Sequence, residues 1–81
     1  MNTEFSPRAA RDYKSLSPEL RVLVRKQLNL LRDNLRHPSL NAKKYGGTDD
    51  IWQGRVNRDY RFYFEIADGT YRIIAIVRHP K

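Results

Sequence analysis

The apolar residues of segment 20–35 recur at every third or fourth position, a spacing that predicts an amphipathic helix. Ser17-Pro18 precedes it and is a typical helix start, because serine caps the free N–H groups and proline fits the first position. His37-Pro38 should end the helix, since the residue before proline avoids the α conformation. The same Ser-Pro signal at Ser6 predicts a first helix, with a weaker apolar stripe at Ala9, Ala10, Tyr13 and Leu16.

The second half of the chain follows the alternating pattern of β-strands. Strands are predicted at 51–57, 60–66 and 71–78, and a short one at 1–5. Turns fall at Asn57-Arg58-Asp59 and Ala67-Asp68-Gly69, and the Asp-Gly pair favours a tight hairpin. Segment 38–50 has no periodicity and is predicted to be a loop containing Lys43, Lys44, Gly46 and Gly47.

The element order is therefore β-α-α-β-β-β, an α+β layout in one domain that spans residues 1–81. The two helices need an apolar surface to cover, and one face of the antiparallel sheet is the surface that the chain provides. The last strand is almost continuously apolar, as expected for a strand buried on both faces.

Alternation assigns the strand residues to the two faces of the sheet. The face under the helices should hold Phe62, Phe64 and Ile66 of one strand, and Trp52, Gly54 and Val56 of its neighbour. The opposite, open face should hold Gln53, Arg55, Arg61, Tyr63 and Glu65. That face is both basic and aromatic.

Composition indicates where in the cell the protein acts and what kind of partner it binds. The chain has 81 residues and no cysteine, and neither a signal peptide nor a membrane-spanning stretch is visible, so a cytoplasmic protein without membrane contact is expected. Sixteen Lys and Arg against nine Asp and Glu give a net charge of +7. Such an excess suits a polyanionic partner, either nucleic acid or an acidic protein.

The open face has the residue types of a nucleic-acid surface. Guanidinium groups pair with phosphate oxygens, and a neighbouring tyrosine such as Tyr63 can stack on a base. The alternative is a solvated face in which Arg55 or Arg61 pairs with Glu65 across strands. The last strand runs into Arg78-His79. An imidazole at that place can accept and donate protons near neutral pH.

The runs "IWQGRVNRDYRFYFEI" and "YRIIAIVRHPK", together with the element order, resemble the RelE/ParE superfamily of bacterial toxins. The resemblance covers essentially the whole chain. It implies a small basic toxin held inactive by a cognate antitoxin, acidic and partly disordered. RelE-like members act on the ribosome and cut mRNA without a metal or other cofactor, whereas ParE-like members bind DNA gyrase.

The resemblance also implies roles for individual residues. Arg61 matches the arginine that stabilises the phosphate at which RelE-like toxins cut. His79 matches a C-terminal histidine that transfers a proton, and Arg78 matches a basic residue beside it. Glu65 lies on the open face and is expected to orient a side chain or act as a base, on its position alone.

The chain departs from the RelE pattern at two places. RelE has paired lysines on the strand before the arginine, and without gaps these positions hold Trp52 and Gly54. Arg55, Lys43 and Lys44 are candidates to supply the charge. A terminal tyrosine that stacks on the substrate base is also missing, and Tyr63 or Tyr60 could take its place. Three functions stay open: an mRNA endonuclease, a gyrase-binding toxin, and a RelE-fold binding protein with degenerate catalysis.

Overall fold

Both serine–proline pairs start helices, as predicted. In a computed structural model, which describes residues 1–46 and 50–79, helix α1 spans Pro7–Lys14 and helix α2 spans Pro18–Asp33. The Ser6 hydroxyl accepts a hydrogen bond from the Ala9 N–H at 3.0 Å, and the Ser17 hydroxyl accepts one from Leu20 at 3.3 Å. Neither helix within the described residues is long and apolar enough to cross a membrane.

Helix α2 ends earlier than the sequence pattern predicts. Its last residue is Asp33, and Asn34 already has an extended backbone with φ −160°. The Asn34 side-chain oxygen accepts a hydrogen bond from the Arg36 N–H at 3.0 Å. This local bond offers the backbone an alternative to another helical turn, so the asparagine and not the later His37-Pro38 ends the helix.

The sheet has five strands in the order β1-β5-β4-β3-β2. The strands are β1 (Asn2–Phe5), β2 (Lys43–Lys44), β3 (Trp52–Arg55), β4 (Tyr60–Ala67) and β5 (Thr70–Arg78). Strands β2 to β5 pair antiparallel, but β1 pairs parallel to β5. The sheet is therefore mixed, not wholly antiparallel as expected, because hydrophobic alternation carries no information on strand direction.

Two further details of the strands correct the sequence-based prediction. Lys43 and Lys44 form a short edge strand opposite Gln53 and Trp52, where a loop was predicted. Pro38–Leu40 of the same segment is a turn of 3-10 helix. Gly47, also assigned to that loop, lies outside the described residues. The Asp-Gly hairpin is confirmed, since Asp68 and Gly69 both have positive φ, as a two-residue hairpin turn requires.

The hydrophobic core lies between the helices and one face of the sheet. Phe62 and Phe64 are completely buried there, under Val24, Leu28 and Leu31 of α2. Ile66 was expected on this covered face, but it is 41% exposed because it lies near the turn to β5.

A β-bulge and two side chains, of Ser6 at the N-cap of α1 and of Asp12 within α1, shape strand β5. Tyr63 pairs with Ala75 and Phe64 pairs with Ile73, so Ile74 is an extra residue. Beyond the end of β1, hydrogen bonds from side chains to this edge of β5 replace those of a neighbouring strand. The Ser6 hydroxyl donates to the Ile74 carbonyl at 2.8 Å, and Asp12 Oδ2 accepts from the Ile76 N–H at 3.0 Å. These bonds fix α1 against the half of β5 that leads to Arg78.

Gln27 fixes α2 to the end of β3. The residue is only 5% exposed, and Nε2 donates to the Arg55 carbonyl at 2.8 Å and to the Ser39 carbonyl at 3.2 Å. A buried amide with both donors paired specifies one position of the helix over the sheet. Gln27 thereby fixes the backbone of Arg55. The open face lies on the other side of the sheet at this residue.

Candidate nucleic-acid interface

The open face of the sheet carries side chains in rows that cross the strands. One row consists of Arg55, Arg61 and Val77, and the next consists of Lys43, Gln53, Tyr63 and Ala75. A third place on the face holds Glu65 opposite Arg72. The prediction that Gln53, Arg55, Arg61, Tyr63 and Glu65 share this face agrees with the strand register.

The basic end of the face is built around Arg61. Its Nη1 donates to the carbonyls of Asn57 at 2.6 Å and Tyr60 at 2.9 Å, with a longer contact of 3.5 Å to Arg58. Arg61 is therefore half-buried and ties down the turn between β3 and β4, whereas an exposed strand residue was expected. Within the described residues its contacts all use Nη1, which leaves the N–H groups of Nη2 and Nε for a ligand.

The end of β5 brings two more candidate residues to the same region. Arg78 pairs with Tyr60, and the His79 N–H donates to the Asp59 carbonyl at 2.6 Å. Val77 faces the open side in the row of Arg61, and His79 follows just beyond Arg78, the last residue of β5. Both side chains are exposed.

A groove of about 520 Å³ runs along the open face beside these residues. Its apolar and aromatic lining comes from Tyr45, Ile51, Tyr63, Ile74, Ala75 and Val77. Two arginines, Arg8 of α1 and Arg78 of β5, complete the lining. The bulge at Ile74 adds an apolar side chain that regular alternation would not have placed here.

Tyr63 forms an aromatic pair with Tyr45 in this groove, with ring centroids 4.9 Å apart and planes at 74°. Burial, and then the neighbouring Tyr45, raise the pKa of the Tyr63 hydroxyl above its usual value of 10.0, although Arg61 acts in the opposite direction. The hydroxyl is therefore protonated at neutral pH. Tyr63 presents a neutral ring, not a phenolate base, and its hydroxyl is hydrogen-bonded to Tyr45.

Glu65 does not lie with the basic residues. It is four residues from Arg61 along an extended strand, or about 13 Å. Its carboxylate pairs with Arg72 at 3.7 Å, not with Arg55 or Arg61 as the solvated-face alternative proposed. Glu4, Asp68 and Arg72 surround the same end of the face. The structure thus separates Glu65 from the other candidate catalytic residues.

The remaining candidates divide between the two faces of the sheet. Lys43 is on the open face, in the row of Tyr63. Lys44 is on the other face, where its Nζ lies 5.9 Å from the centre of the Trp52 ring. Tyr60 packs against the core from that side, so Tyr63 and not Tyr60 is placed to stack on a ligand of the open face.

The missing lysine positions have a structural explanation. Trp52 and Gly54 both face the core: Trp52 stacks on Phe64 with centroids 6.1 Å apart, and Gly54 is buried under Phe62. A Cβ on Gly54 would lie 2.4 Å from the Phe62 ring. A lysine at either position would not reach the open face, where Arg55 and Lys43 stand instead.

Sequence reasoning missed Arg8, Tyr45, Asp12 and Gln27. Arg8 and Tyr45 line the groove, while Asp12 and Gln27 hold β5 and β3 in place. These positions follow no periodic pattern, and each acts on residues that are distant in sequence. Among the described residues, no group of three or more His, Cys, Asp or Glu is arranged to hold a metal ion.

Comparison with known proteins gives matches in structure only. No family model and no curated protein matches the sequence. The YoeB/ParE toxin from Agrobacterium tumefaciens superposes with a TM-score of 0.83 at 12% identity, over 99% of this chain and 100% of that one. The isolated E. coli RelE toxin gives 0.80 at 19% identity, over 99% and 85% of the two chains.

A third similar structure contains a partner protein. The YoeB-YefM complex from Staphylococcus aureus matches with a TM-score of 0.81 at 20% identity, over 99% of this chain and 98% of that chain. The resemblance predicted from the sequence is thus confirmed for the fold over almost the whole chain. This protein has the fold of the RelE, YoeB and ParE toxins.

Proposed function

We propose that this protein is the toxin of a type II toxin–antitoxin system and inhibits translation in the cytoplasm by cutting mRNA on the ribosome. The observation that carries the proposal is that Arg55 and Arg61 lie opposite each other at one end of the open face, while the His79 backbone is bonded to Asp59 of the adjoining turn. Cations and a proton-transfer group in one place are what cleavage of an RNA phosphodiester needs. The fold shared with RelE and YoeB toxins supports the same function.

The proposed reaction needs no cofactor. The 2′-hydroxyl oxygen of one nucleotide attacks the adjacent phosphorus, and the bond from phosphorus to the 5′ oxygen breaks. The products are a 2′,3′-cyclic phosphate and a free 5′-hydroxyl. The 2′-hydroxyl gives up its proton as its oxygen attacks, and the leaving 5′ oxygen takes one up. His79 transfers a proton in this exchange, while Arg61 and Arg55 stabilise the additional negative charge on the phosphate oxygens in the transition state.

The roles of Arg61 and Arg55 are supported by different observations. The Arg61 side chain is held by backbone carbonyls at 2.6 and 2.9 Å, so its remaining N–H groups are fixed in direction before the substrate binds. Preorganised donors of this kind stabilise a transition state more than mobile ones. Arg55 is exposed and lies opposite Arg61, although its backbone is fixed by Gln27.

We propose an acidic, partly disordered antitoxin as the partner that inhibits the toxin. The net charge of +7 favours an acidic segment, and segments that fold on binding can cover a large surface. A similar chain, the YoeB of Staphylococcus aureus, has been solved in complex with YefM.

The test is cleavage of an end-labelled mRNA on programmed ribosomes under single-turnover conditions. The wild type should cut the message, and His79→Ala should cut it about 10²–10⁴-fold more slowly, the usual range for a proton-transfer group. Arg72→Ala is the matched control, because Arg72 is an exposed arginine of β5 at the opposite end of the same face. It should cut at the wild-type rate.

Circular dichroism establishes that each variant is folded. A folded His79→Ala variant that cuts as fast as the wild type would contradict the proposed site. Intact mRNA together with loss of DNA supercoiling by gyrase would overturn the function in favour of the gyrase-binding alternative.

A further inference from the structure

Arg8 belongs to the groove of the open face although it comes from helix α1, at the other end of the sequence. It lines the groove together with Arg78, and the aromatic pair Tyr45–Tyr63 belongs to the same lining. The groove therefore has cations from two independent elements. Nothing in the hydrophobic pattern of α1 indicated such a place for Arg8.

Arg8 contributes little to the stability of the fold. Its Nε lies 3.6 Å from Asp12 Oδ2, one helical turn away, and the side chain is 62% exposed. An exposed pair of this spacing contributes only about 0.3–0.5 kcal/mol to stability. The same Asp12 oxygen accepts the Ile76 N–H at 3.0 Å. Asp12 is thus fixed to β5, and its carboxylate lies beside the Arg8 guanidinium.

The groove combines the features that bind a single nucleotide. Its lining is apolar and aromatic, and Tyr63 in it keeps a protonated hydroxyl. Aromatic rings stack on nucleobases regardless of sequence, and guanidinium groups bind the phosphate attached to the same nucleotide. A volume of about 520 Å³ lies within the usual range for small-molecule sites.

We propose that this groove is the subsite for a nucleotide adjoining the cleaved phosphate of single-stranded RNA. In this arrangement Arg8 and Arg78 bind the phosphate of that nucleotide, and its base lies against Tyr63 and Tyr45. The inference rests on the proposed ribonuclease function, because it treats the basic end of the face as the place of cleavage. The groove adjoins that end through Val77, which pairs with Arg61.

The first measurement is RNA binding without cleavage. The probe is a fluorescent single-stranded RNA oligonucleotide with 2′-O-methyl groups, which has no attacking hydroxyl. Titration at several salt concentrations gives the slope of log K against log salt, whose magnitude is about 0.7 for each phosphate of a single strand that the protein neutralises. Arg8→Ala should flatten the slope by about 0.7, and Arg8→Lys should keep most of it.

Arg11→Ala is the matched control, since Arg11 is an exposed arginine of the same helix that does not line the groove. A general loss of positive charge would affect both variants equally. Tyr45→Ala should weaken binding about tenfold, in the range for loss of one stacked base, and leave the salt slope unchanged.

The second measurement is mRNA cleavage on the ribosome, in which Arg8→Ala should weaken apparent substrate binding more than it slows the cut. Equal effects of Arg8→Ala and Arg11→Ala in both measurements would overturn the subsite, while cleavage by all variants would leave the proposed function standing. If Arg8→Ala weakens binding of a co-expressed antitoxin and not of RNA, the groove binds a protein and the subsite is also wrong. Normal RNA binding without cleavage would instead count against the function alone.

Discussion

The two faces of strand β4 differ in burial and in polarity. Phe62 and Phe64 on the covered face are completely buried and belong to a cluster of apolar and aromatic residues. Arg61, Tyr63 and Glu65, which alternate with them, are half-buried and polar. One segment therefore supplies both the centre of the core and the candidate binding face.

This comparison teaches how so small a domain can carry many cations close together. Alternation directs the arginines away from the core without any change in backbone, and the buried aromatic residues hold that backbone rigid. A substitution on the covered face should therefore act on stability. A substitution on the open face should act on function, and the clearest way to test the comparison is to measure both for the same strand.

The largest effect is expected for Phe64→Ala. The Phe64 ring lies 5.5 Å from Phe62 and 5.7 Å from Tyr71, so its removal leaves a cavity at the centre of the core. Such truncations cost about 3–5 kcal/mol. Urea denaturation followed by circular dichroism should show a loss in the free energy of unfolding of that size. A loss below about 1 kcal/mol would contradict the assignment of Phe64 to the core.

Arg61→Ala should have a mixed effect and so mark where the comparison between faces breaks down. Loss of a preorganised donor should slow cleavage about 10²–10³-fold. Loss of the hydrogen bonds to the turn should also lower the free energy of unfolding by about 1–2 kcal/mol, because those carbonyls are bonded at 2.6 and 2.9 Å. Single-turnover cleavage and urea denaturation of the same preparation measure the two effects.

Arg61→Lys separates the two contributions. Lysine keeps the charge but has no planar fork, so it cannot bond both the turn and a phosphate in the same way. We expect it to restore part of the stability and little of the cleavage rate. Full recovery of the rate would show that charge alone, not the fixed direction of the guanidinium, is what the site uses.

The smallest effect is expected for Glu65→Gln, although Glu65 shares the open face. Its partner is the exposed Arg72, and such a pair contributes at most about 1 kcal/mol to stability. Since Glu65 lies about 13 Å from Arg61 along the strand, the cleavage rate should stay within about twofold of the wild type. A 100-fold loss in ribosome-dependent cleavage would restore the catalytic role that the sequence suggested for this carboxylate.

Local signals made much of this fold predictable from the sequence. Three features depend on neighbours within a few residues: the starts of the helices at Ser6 and Ser17, the Asp68-Gly69 turn, and the faces of β4. The resemblance to RelE-like toxins added the overall arrangement. For the candidate site, strand parity predicted which side chains share the open face, whereas the roles of Arg61, Arg78 and His79 stay predictions.

The remainder depends on contacts between distant parts of the chain. The parallel direction of β1, the edge strand of Lys43 and the bulge at Ile74 are decided by pairing, which no local pattern encodes. Glu65 was grouped with Arg61 because they share a face, and the pairing with Arg72 of β5 shows which residues Glu65 contacts instead. Arg8 reaches the groove because Ser6 and Asp12 bond the edge of β5, which a helical pattern does not reveal.

The pairing of β1 with β5 has a consequence for how the protein folds during its synthesis. Residues 2–5 pair with residues 70–73, so the ends of a loop of more than sixty residues must meet before the sheet is complete. Closing a loop of this length costs entropy that no early local contact repays, which slows folding. The strand that ends at Arg78, just before His79, is also the partner of β1. A growing chain should therefore emerge from the ribosome without a formed site, and acquire one only after β5 has been synthesised and docked.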